Sequence, residues 1–167
     1  MYHCPYCNAL EPAFEDWVRK QGDRIVVRRI HFPYTGPNDP EARLYLTLEA
    51  LGKVDEMHAK VFKAVHVDRI RLNREDAIVD WVAKNGIDRA TFLTTWNSFG
   101  VQARLRQLGK VVSDYRVATA PTLVIDGRYM TSPSLAGAGV SGGDRNAVFL
   151  ATMQVADALV DKAARAK

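Results

Sequence analysis

The chain has 167 residues, of which 47% are hydrophobic and 25% are charged, and its formal net charge is +4. This length predicts one globular unit, and no apolar run approaches the roughly 18–20 residues of a transmembrane helix. The basic residues are scattered through predicted helices without a nucleic-acid-binding motif, so we expect no nucleic-acid partner despite the positive charge.

The first predicted element is a helix that begins at Pro5 and ends near Gly22. Its apolar residues recur at helical spacing and form one face: Leu10, Phe14, Trp17 and Val18. The next run, residues 24–30, is short and rich in β-branched residues, and it predicts a strand.

Residues 33–115 are predicted to be almost wholly helical, with about five helices. Three side chains are typical helix starts: Asp39, Asn73 and Asp88. Glycines end two of these helices, Gly52 the first and Gly86 the third. In the fourth helix, the residues predicted to be buried are Phe92, Leu93, Trp96 and Phe99.

The last part of the chain predicts a hairpin and a helix. Residues 122–125 and 128–130 flank Asp126-Gly127, and an Asp-Gly pair supplies the positive φ angles that a two-residue hairpin turn needs. Ala120-Pro121 stands immediately before this hairpin. A closing helix is predicted from about Asp144, with an inner side formed by Ala147, Leu150, Met153, Leu159 and Val160.

The two cysteines of the chain are Cys4 and Cys7, separated by Pro5 and Tyr6. If Pro5 occupies the first turn of a helix, Cys4 lies at the N-terminus, where unpaired backbone N–H groups and the macrodipole stabilise a thiolate. Cys7, one turn further on, can then attack a mixed disulfide formed at Cys4. The spacing indicates a redox dithiol with Cys4 as nucleophile and Cys7 as resolving cysteine.

Two other interpretations of the cysteine pair stay open. A structural zinc site needs about four Cys or His ligands, and the remaining ones would have to come from the four histidines, which form no second close pair: His3, His31, His58 and His66. The pair is also compatible with two inert buried cysteines, although Pro5 at a helix start favours a positioned dithiol.

Taken together, these features resemble the DsbA family of bacterial thiol:disulfide oxidoreductases, which have a thioredoxin fold with an inserted helical domain. The resemblance rests on the Cys-Pro-x-Cys helix start, on Pro12, on the long helical insertion, and on Ala120-Pro121 ahead of the hairpin. It implies an α/β, thioredoxin-like architecture. Residues 1–32 and 116–167 would form the thioredoxin-like domain, and 33–115 the all-helical subdomain.

The resemblance also implies roles for individual residues. Cys4 and Cys7 would be catalytic, and Pro121 would take the place of the family's cis-proline, where Ala120 and the adjoining backbone bind an extended substrate peptide. His3, Pro5 and Tyr6 would tune the active site. No metal and no cofactor other than the Cys4–Cys7 disulfide is expected.

Two residues depart from the family's usual pattern. Tyr6 stands where DsbA proteins commonly have His, so a contact that holds the thiolate is lost and a less oxidising dithiol is expected. Cys-Pro-Tyr-Cys is also the pattern of glutaredoxins, which reduce disulfides. Ala120 is smaller than the usual Val or Thr. His3 would restore part of the stabilisation if protonated, but we expect it to face solvent.

The thioredoxin fold needs a central strand leading into the active-site helix, and only Met1-Tyr2-His3 precede Cys4. We therefore expect the sequence to be a fragment of a longer native chain, without its N-terminal strand. The family implies a periplasmic monomer that acts on reduced or unfolded proteins and is reoxidised by a DsbB-like membrane partner. A glutaredoxin-like reductase or isomerase, or a non-catalytic peptide-binding module, is the alternative.

Overall fold

The computed structural model describes residues 1–140 and 144–166. Within them the secondary structure is mostly helical, with one two-stranded antiparallel sheet. The elements are α1 (Pro5–Gln21), α2 (Pro40–Ala50), α3 (Val54–His66), α4 (Glu75–Lys84), α5 (Arg89–Trp96), α6 (Phe99–Asp114), β1 (Leu123–Ile125), β2 (Tyr129–Thr131), α7 (Pro133–Ala136) and α8 (Arg145–Arg165). No helix in these ranges is both long enough and apolar enough to cross a membrane.

The chain divides into two compact units. The first consists of Met1–Asn8 and Ile30–Asp114, and it contains both cysteines and helices α2–α6. The second consists of Ala9–Arg29 and Tyr115–Lys167. The division into thioredoxin-like and inserted parts at residues 33 and 115 stays a prediction.

Capping side chains start two helices of the first unit as predicted. The Asp39 carboxylate accepts a hydrogen bond from the backbone N–H of Ala42 at 2.8 Å, and Asp88 accepts one from Thr91 at 2.8 Å. Each therefore satisfies a backbone donor that has no partner within its helix. The prediction for Asn73 was wrong: α4 begins at Glu75, so acidic residues fill its first turn, where the helix dipole favours negative charge.

The first unit is built around α2, which contacts α3, α5 and α6. Its core residues are fully buried, among them Leu44, Leu48, Met57, Val61, Ile78, Phe92 and Trp96. The prediction that Phe99 is buried in the fourth helix was wrong, since Phe99 begins α6 and is 82% exposed. Asn97 ends α5 before that point and so breaks the helical periodicity.

In the second unit, the hairpin and α7 pack against α8. Leu123 pairs with Thr131 and Ile125 with Tyr129, and the connection includes Arg128 as well as Asp126 and Gly127. Asp126 and Gly127 have φ angles of +53° and +66°, which are the positive values expected of an Asp-Gly turn. The connection is thus one residue longer than predicted.

A small core in the second unit is formed by Leu10 of α1 with Phe149 and Met153 of α8. The buried face of α8 includes Phe149, whereas Leu150, predicted to face inward, is 61% exposed. Phe149 and Leu150 are adjacent apolar residues, so the sequence alone does not determine which of them faces the core. Tertiary packing determines it. The closing helix begins where it is predicted, and Asp144 caps it by accepting the Asn146 N–H at 3.0 Å.

The strand predicted at residues 24–30 is absent from the described structure. Ile25 has an extended backbone, with φ −133° and ψ 153°, yet no described segment pairs with this run. Val26 is 90% exposed. Strand propensity alone does not make a sheet, because the backbone groups of a strand need a hydrogen-bonded neighbour.

Candidate active site

The dithiol lies at the start of α1. Pro5 is the first helical residue, where its missing N–H costs nothing, and the Asn8 N–H donates to the Cys4 carbonyl at 3.1 Å. Cys4 therefore takes the N-cap position. Its Sγ accepts a hydrogen bond from the Cys7 backbone N–H at 3.2 Å, as an N-cap oxygen does in other helices.

The two thiols are close to each other but have opposite acidities. Both are buried, at 6% and 7% exposure, and both are reduced in the structure. The hydrogen bond from the Cys7 thiol is the largest of the effects that together lower the pKa of Cys4 to about 6, and backbone N–H groups at the helix start add to it against the effect of burial. The same hydrogen bond, together with burial, raises the pKa of Cys7.

This asymmetry fits the two chemical roles predicted for the pair. A thiolate is the nucleophile in thiol–disulfide exchange, and the thiol with the lower pKa is also the better leaving group. Cys4 holds the charge at neutral pH, while Cys7 keeps its proton.

The segment before Cys4 is fixed by histidines. The Tyr2 N–H donates to His31 Nε2 at 3.2 Å, the Tyr2 hydroxyl and His58 Nδ1 are 3.1 Å apart, and His66 Nε2 donates to the Tyr2 carbonyl at 2.7 Å. Tyr2 is only 1% exposed. These three histidines thus hold Tyr2, two residues before the nucleophile: His31 and His66 bind its backbone and His58 binds its hydroxyl.

His31 is neutral in this environment. Its Nε2 accepts from the Tyr2 N–H, while its Nδ1 donates to the Phe32 carbonyl at 3.1 Å. Burial lowers the pKa of His31 well below its ordinary value. His31 therefore has a structural role in the fold. The part of the chain that the structure describes contains no cluster of three or more His, Cys, Asp or Glu residues suited to a metal ion.

His3 is predicted to face solvent, but in the structure it pairs with Glu41 of α2. Its ring Nδ1 lies 2.6 Å from Glu41 Oε2, and its backbone N–H donates to the same oxygen at 3.1 Å. Glu41 was not identified from the sequence, where it is indistinguishable from any acidic residue in the first turn of a helix. Only the fold brings residues 3 and 41 together.

The other predicted site residues are divided between the units. Pro5 and Tyr6 lie in the first unit with the cysteines, and the Tyr6 side chain is 54% exposed. Ala120 and Pro121 lie in the second unit, half-buried, immediately before β1. The Ala120–Pro121 peptide bond is cis, the isomer that the resemblance implies at this position.

Comparison with known proteins gives a consistent result. Residues 2–154 match the DSBA-like thioredoxin domain family. The thiol:disulfide interchange protein DsbA of Bordetella parapertussis is 37% identical over 141 residues, which cover 84% of this chain and 67% of the relative. The DsbA of Pseudomonas syringae pv. tomato is 34% identical over 161 residues, covering 96% and 71%.

Solved structures agree with the sequence relatives. The crystal structure of Pseudomonas aeruginosa DsbA aligns with a TM-score of 0.85 at 29% identity, covering 99% of this chain and 81% of that chain. The oxidoreductase DsbA from Xylella fastidiosa aligns with a TM-score of 0.81 at 27% identity, over 99% and 83%. The thioredoxin-like α/β fold and the resemblance inferred from sequence are confirmed, and the chain belongs to the DSBA-like thioredoxin domain family.

Proposed function

We propose that this protein is a thiol:disulfide oxidoreductase that donates a Cys4–Cys7 disulfide to reduced substrate proteins during oxidative folding. Its family is one of thiol:disulfide interchange proteins. The observation that carries the assignment to these residues is the Cys4–Cys7 geometry. The Cys7 N–H donates to the Cys4 sulfur at 3.2 Å, and the pKa of Cys4 falls to about 6 while that of Cys7 rises.

The reaction begins when a substrate thiolate attacks the Cys4 sulfur of the oxidised enzyme. The Cys4–Cys7 bond breaks, a mixed disulfide forms at Cys4, and Cys7 leaves and takes up a proton. A second substrate thiolate then attacks the substrate sulfur of the mixed disulfide and releases Cys4 as a thiolate. Two electrons pass from the substrate to the enzyme, and one of the two substrate thiol protons is released to solvent.

The electrons reside in the protein's own sulfur atoms, so this exchange requires no bound cofactor. The low pKa of Cys4 supports the direction of transfer, because stabilising the thiolate stabilises the reduced enzyme and makes the disulfide a better oxidant. Family membership supports binding of the extended substrate at Ala120 and Pro121. It also supports a role for Pro5 and Tyr6 in tuning the reactivity of the cysteines.

The same resemblance supports the cellular setting. We place the protein in the bacterial periplasm, as a monomer, acting on unfolded or partly folded proteins. A DsbB-like membrane protein would return the dithiol to the disulfide. The curated relatives are bacterial proteins named for thiol:disulfide interchange.

Trapping of mixed disulfides tests the assignment. Oxidised protein is mixed with a reduced, unfolded model protein, and covalent adducts are resolved on a non-reducing gel. Cys4→Ser should abolish disulfide transfer, and Cys7→Ser, loaded at Cys4 as a glutathione mixed disulfide, should accumulate the substrate adduct. Adducts formed through Cys7 instead of Cys4, or none from either variant, would refute the mechanism.

The reduction potential tests the direction of exchange. Equilibration in glutathione buffers should give a value well above the about −200 to −230 mV of glutaredoxins. A value at or below that range would reassign the protein as a reductase or isomerase, the alternative suggested by Tyr6. A pair that never oxidises would instead favour a peptide-binding module.

A further inference from the structure

The residue that precedes the nucleophile is held by a single carboxylate oxygen. Glu41 Oε2 hydrogen-bonds both to the His3 ring, at 2.6 Å, and to the His3 backbone N–H, at 3.1 Å. The Glu41 side chain is 8% exposed and that of His3 is 36% exposed. The ring of Tyr34 packs edge-on against the His3 ring, with centroids 5.0 Å apart. The pair is thus a built contact between α2 and the active-site segment.

Glu41 is an acidic residue at the start of a helix. It lies in the first turn of α2, where backbone N–H groups and the helix dipole stabilise negative charge. A buried carboxylate is nevertheless costly unless a partner compensates it. His3 is that partner, and when protonated it makes the pair neutral overall.

Glu41 hydrogen-bonds the backbone and the ring of His3, the residue joined directly to Cys4 in the chain. An uncompensated negative charge opposes a nearby thiolate. Tyr6 cannot supply a cation between the cysteines, and His31, His58 and His66 are engaged with Tyr2. His3, bonded directly to Cys4 in the chain, is therefore the histidine available to balance the charge of Glu41.

We propose that His3, held by Glu41, is a positioning residue that balances charge beside Cys4 and thereby sets how strongly oxidising the Cys4–Cys7 pair is. This inference rests on the proposed function and deepens it. In this chain the charge-compensating imidazole stands before the first cysteine instead of between the two. The pair acts on the reaction through Cys4, without itself contacting the substrate.

A double-mutant cycle separates charge balance from simple structural support. His3→Asn keeps a side-chain N–H for Glu41 but leaves the carboxylate uncompensated. Glu41→Gln keeps the acceptor and removes the charge. The double variant H3N/E41Q is neutral throughout. For each protein, we would measure the equilibrium constant with glutathione at pH 7 and the thiolate absorbance at 240 nm across a pH titration.

The three variants should differ in how strongly oxidising their Cys4–Cys7 pairs are. H3N should shift the equilibrium about three- to tenfold toward the oxidised protein, because the bare carboxylate destabilises the Cys4 thiolate. E41Q should be at least as oxidising as the parent protein. The double variant should recover at least half of the change that H3N causes in the logarithm of the equilibrium constant with glutathione. A structural role predicts instead that the double variant is as impaired as H3N or more so.

A salt bridge remote from Cys4 in the sequence serves as the control for the His3–Glu41 pair. The exposed Lys53–Glu56 pair at the start of α3 provides matched substitutions, K53N and E56Q, that should leave the equilibrium unchanged. An unshifted H3N, or a double variant that fails to recover, overturns the proposal. If the parent itself forms no Cys4–Cys7 disulfide, the proposed function fails, while the thiolate titration still decides the role of His3 on its own.

Discussion

The backbone N–H of Cys7 donates a hydrogen bond to the Sγ atom of Cys4 across 3.2 Å, in the place where most helices have an N-cap oxygen. The contact that starts α1 thus also stabilises a thiolate. The start of the helix and the activation of the nucleophile are one piece of local geometry, and residues 4–7 contain all of it.

The reactivity of Cys4 should follow its lowered pKa. The thiolate is the reactive form and its fraction rises with pH, so the rate of alkylation by iodoacetamide should rise through about pH 6 and level off above it. An unperturbed cysteine has its midpoint at about pH 8.5. Cys7→Ala, which removes the hydrogen bond from the thiol, should move the midpoint to higher pH. A parent midpoint near pH 8 would contradict the proposed thiolate.

Replacing Tyr6 by His should make the dithiol more oxidising. The Tyr6 side chain is 54% exposed, so the substitution disturbs little packing, and a protonated imidazole near Cys4 favours the thiolate. We expect a change of about tenfold in the equilibrium constant with glutathione, toward the reduced enzyme. Phe99→His, at an exposed position in α6, is the control. Equal effects from the two variants would show that position 6 has no special influence.

Protonation of His31 should destabilise the fold in acid. Its folded-state pKa is lowered by burial, so the unfolded chain binds the proton first as the pH falls through about 6.5. The free energy of unfolding should therefore decrease from pH 7.5 to pH 5.5. Urea titrations at several pH values would show a smaller decrease for His31→Gln, which has no titrating group at this position. An identical pH dependence for both proteins would remove His31 as its source.

Arg43 should stabilise the helical unit through its contacts with α5. Its guanidinium donates to the Trp96 carbonyl, at 2.9 Å from Nη2, and to the Asn97 side chain at 2.8 Å, and it lies over the Trp96 ring at 4.4 Å. Lysine keeps the charge but not the planar fork. Arg43→Lys should lower the free energy of unfolding by about 1–3 kcal/mol, measured by urea denaturation. Arg74→Lys, an exposed arginine paired with Asp76, should change it by no more than about 0.5 kcal/mol.

Truncation of two neighbouring residues of α8 should lower the free energy of unfolding by very different amounts. Phe149 is 5% exposed in the small core with Leu10 and Met153, whereas Leu150 is 61% exposed. Phe149→Ala should cost about 3–5 kcal/mol, because it removes buried area and leaves a cavity. Leu150→Ala should stay within about 0.5 kcal/mol. A larger loss at Leu150 than at Phe149 would contradict the observed orientation of the helix.

The local chemistry of this protein could be predicted from the sequence. Cys4 and Cys7 on a helix opened by Pro5, the caps at Asp39 and Asp88, and the Asp126-Gly127 turn depend on interactions within a few residues. Propensity, capping and turn geometry act over that range, so adjacent residues are enough to determine them.

Tertiary structure decided what depends on distant partners. Residues 24–30 have strand propensity but pair with no described segment, and α8 buries Phe149 instead of Leu150. The contact of His3 with Glu41 joins positions 38 residues apart, and Tyr2 meets histidines from residues 31, 58 and 66. Sheet pairing, the choice of a buried face and the compensation of a buried charge are all settled by which distant groups the fold brings together, because each needs a partner that the local sequence does not supply.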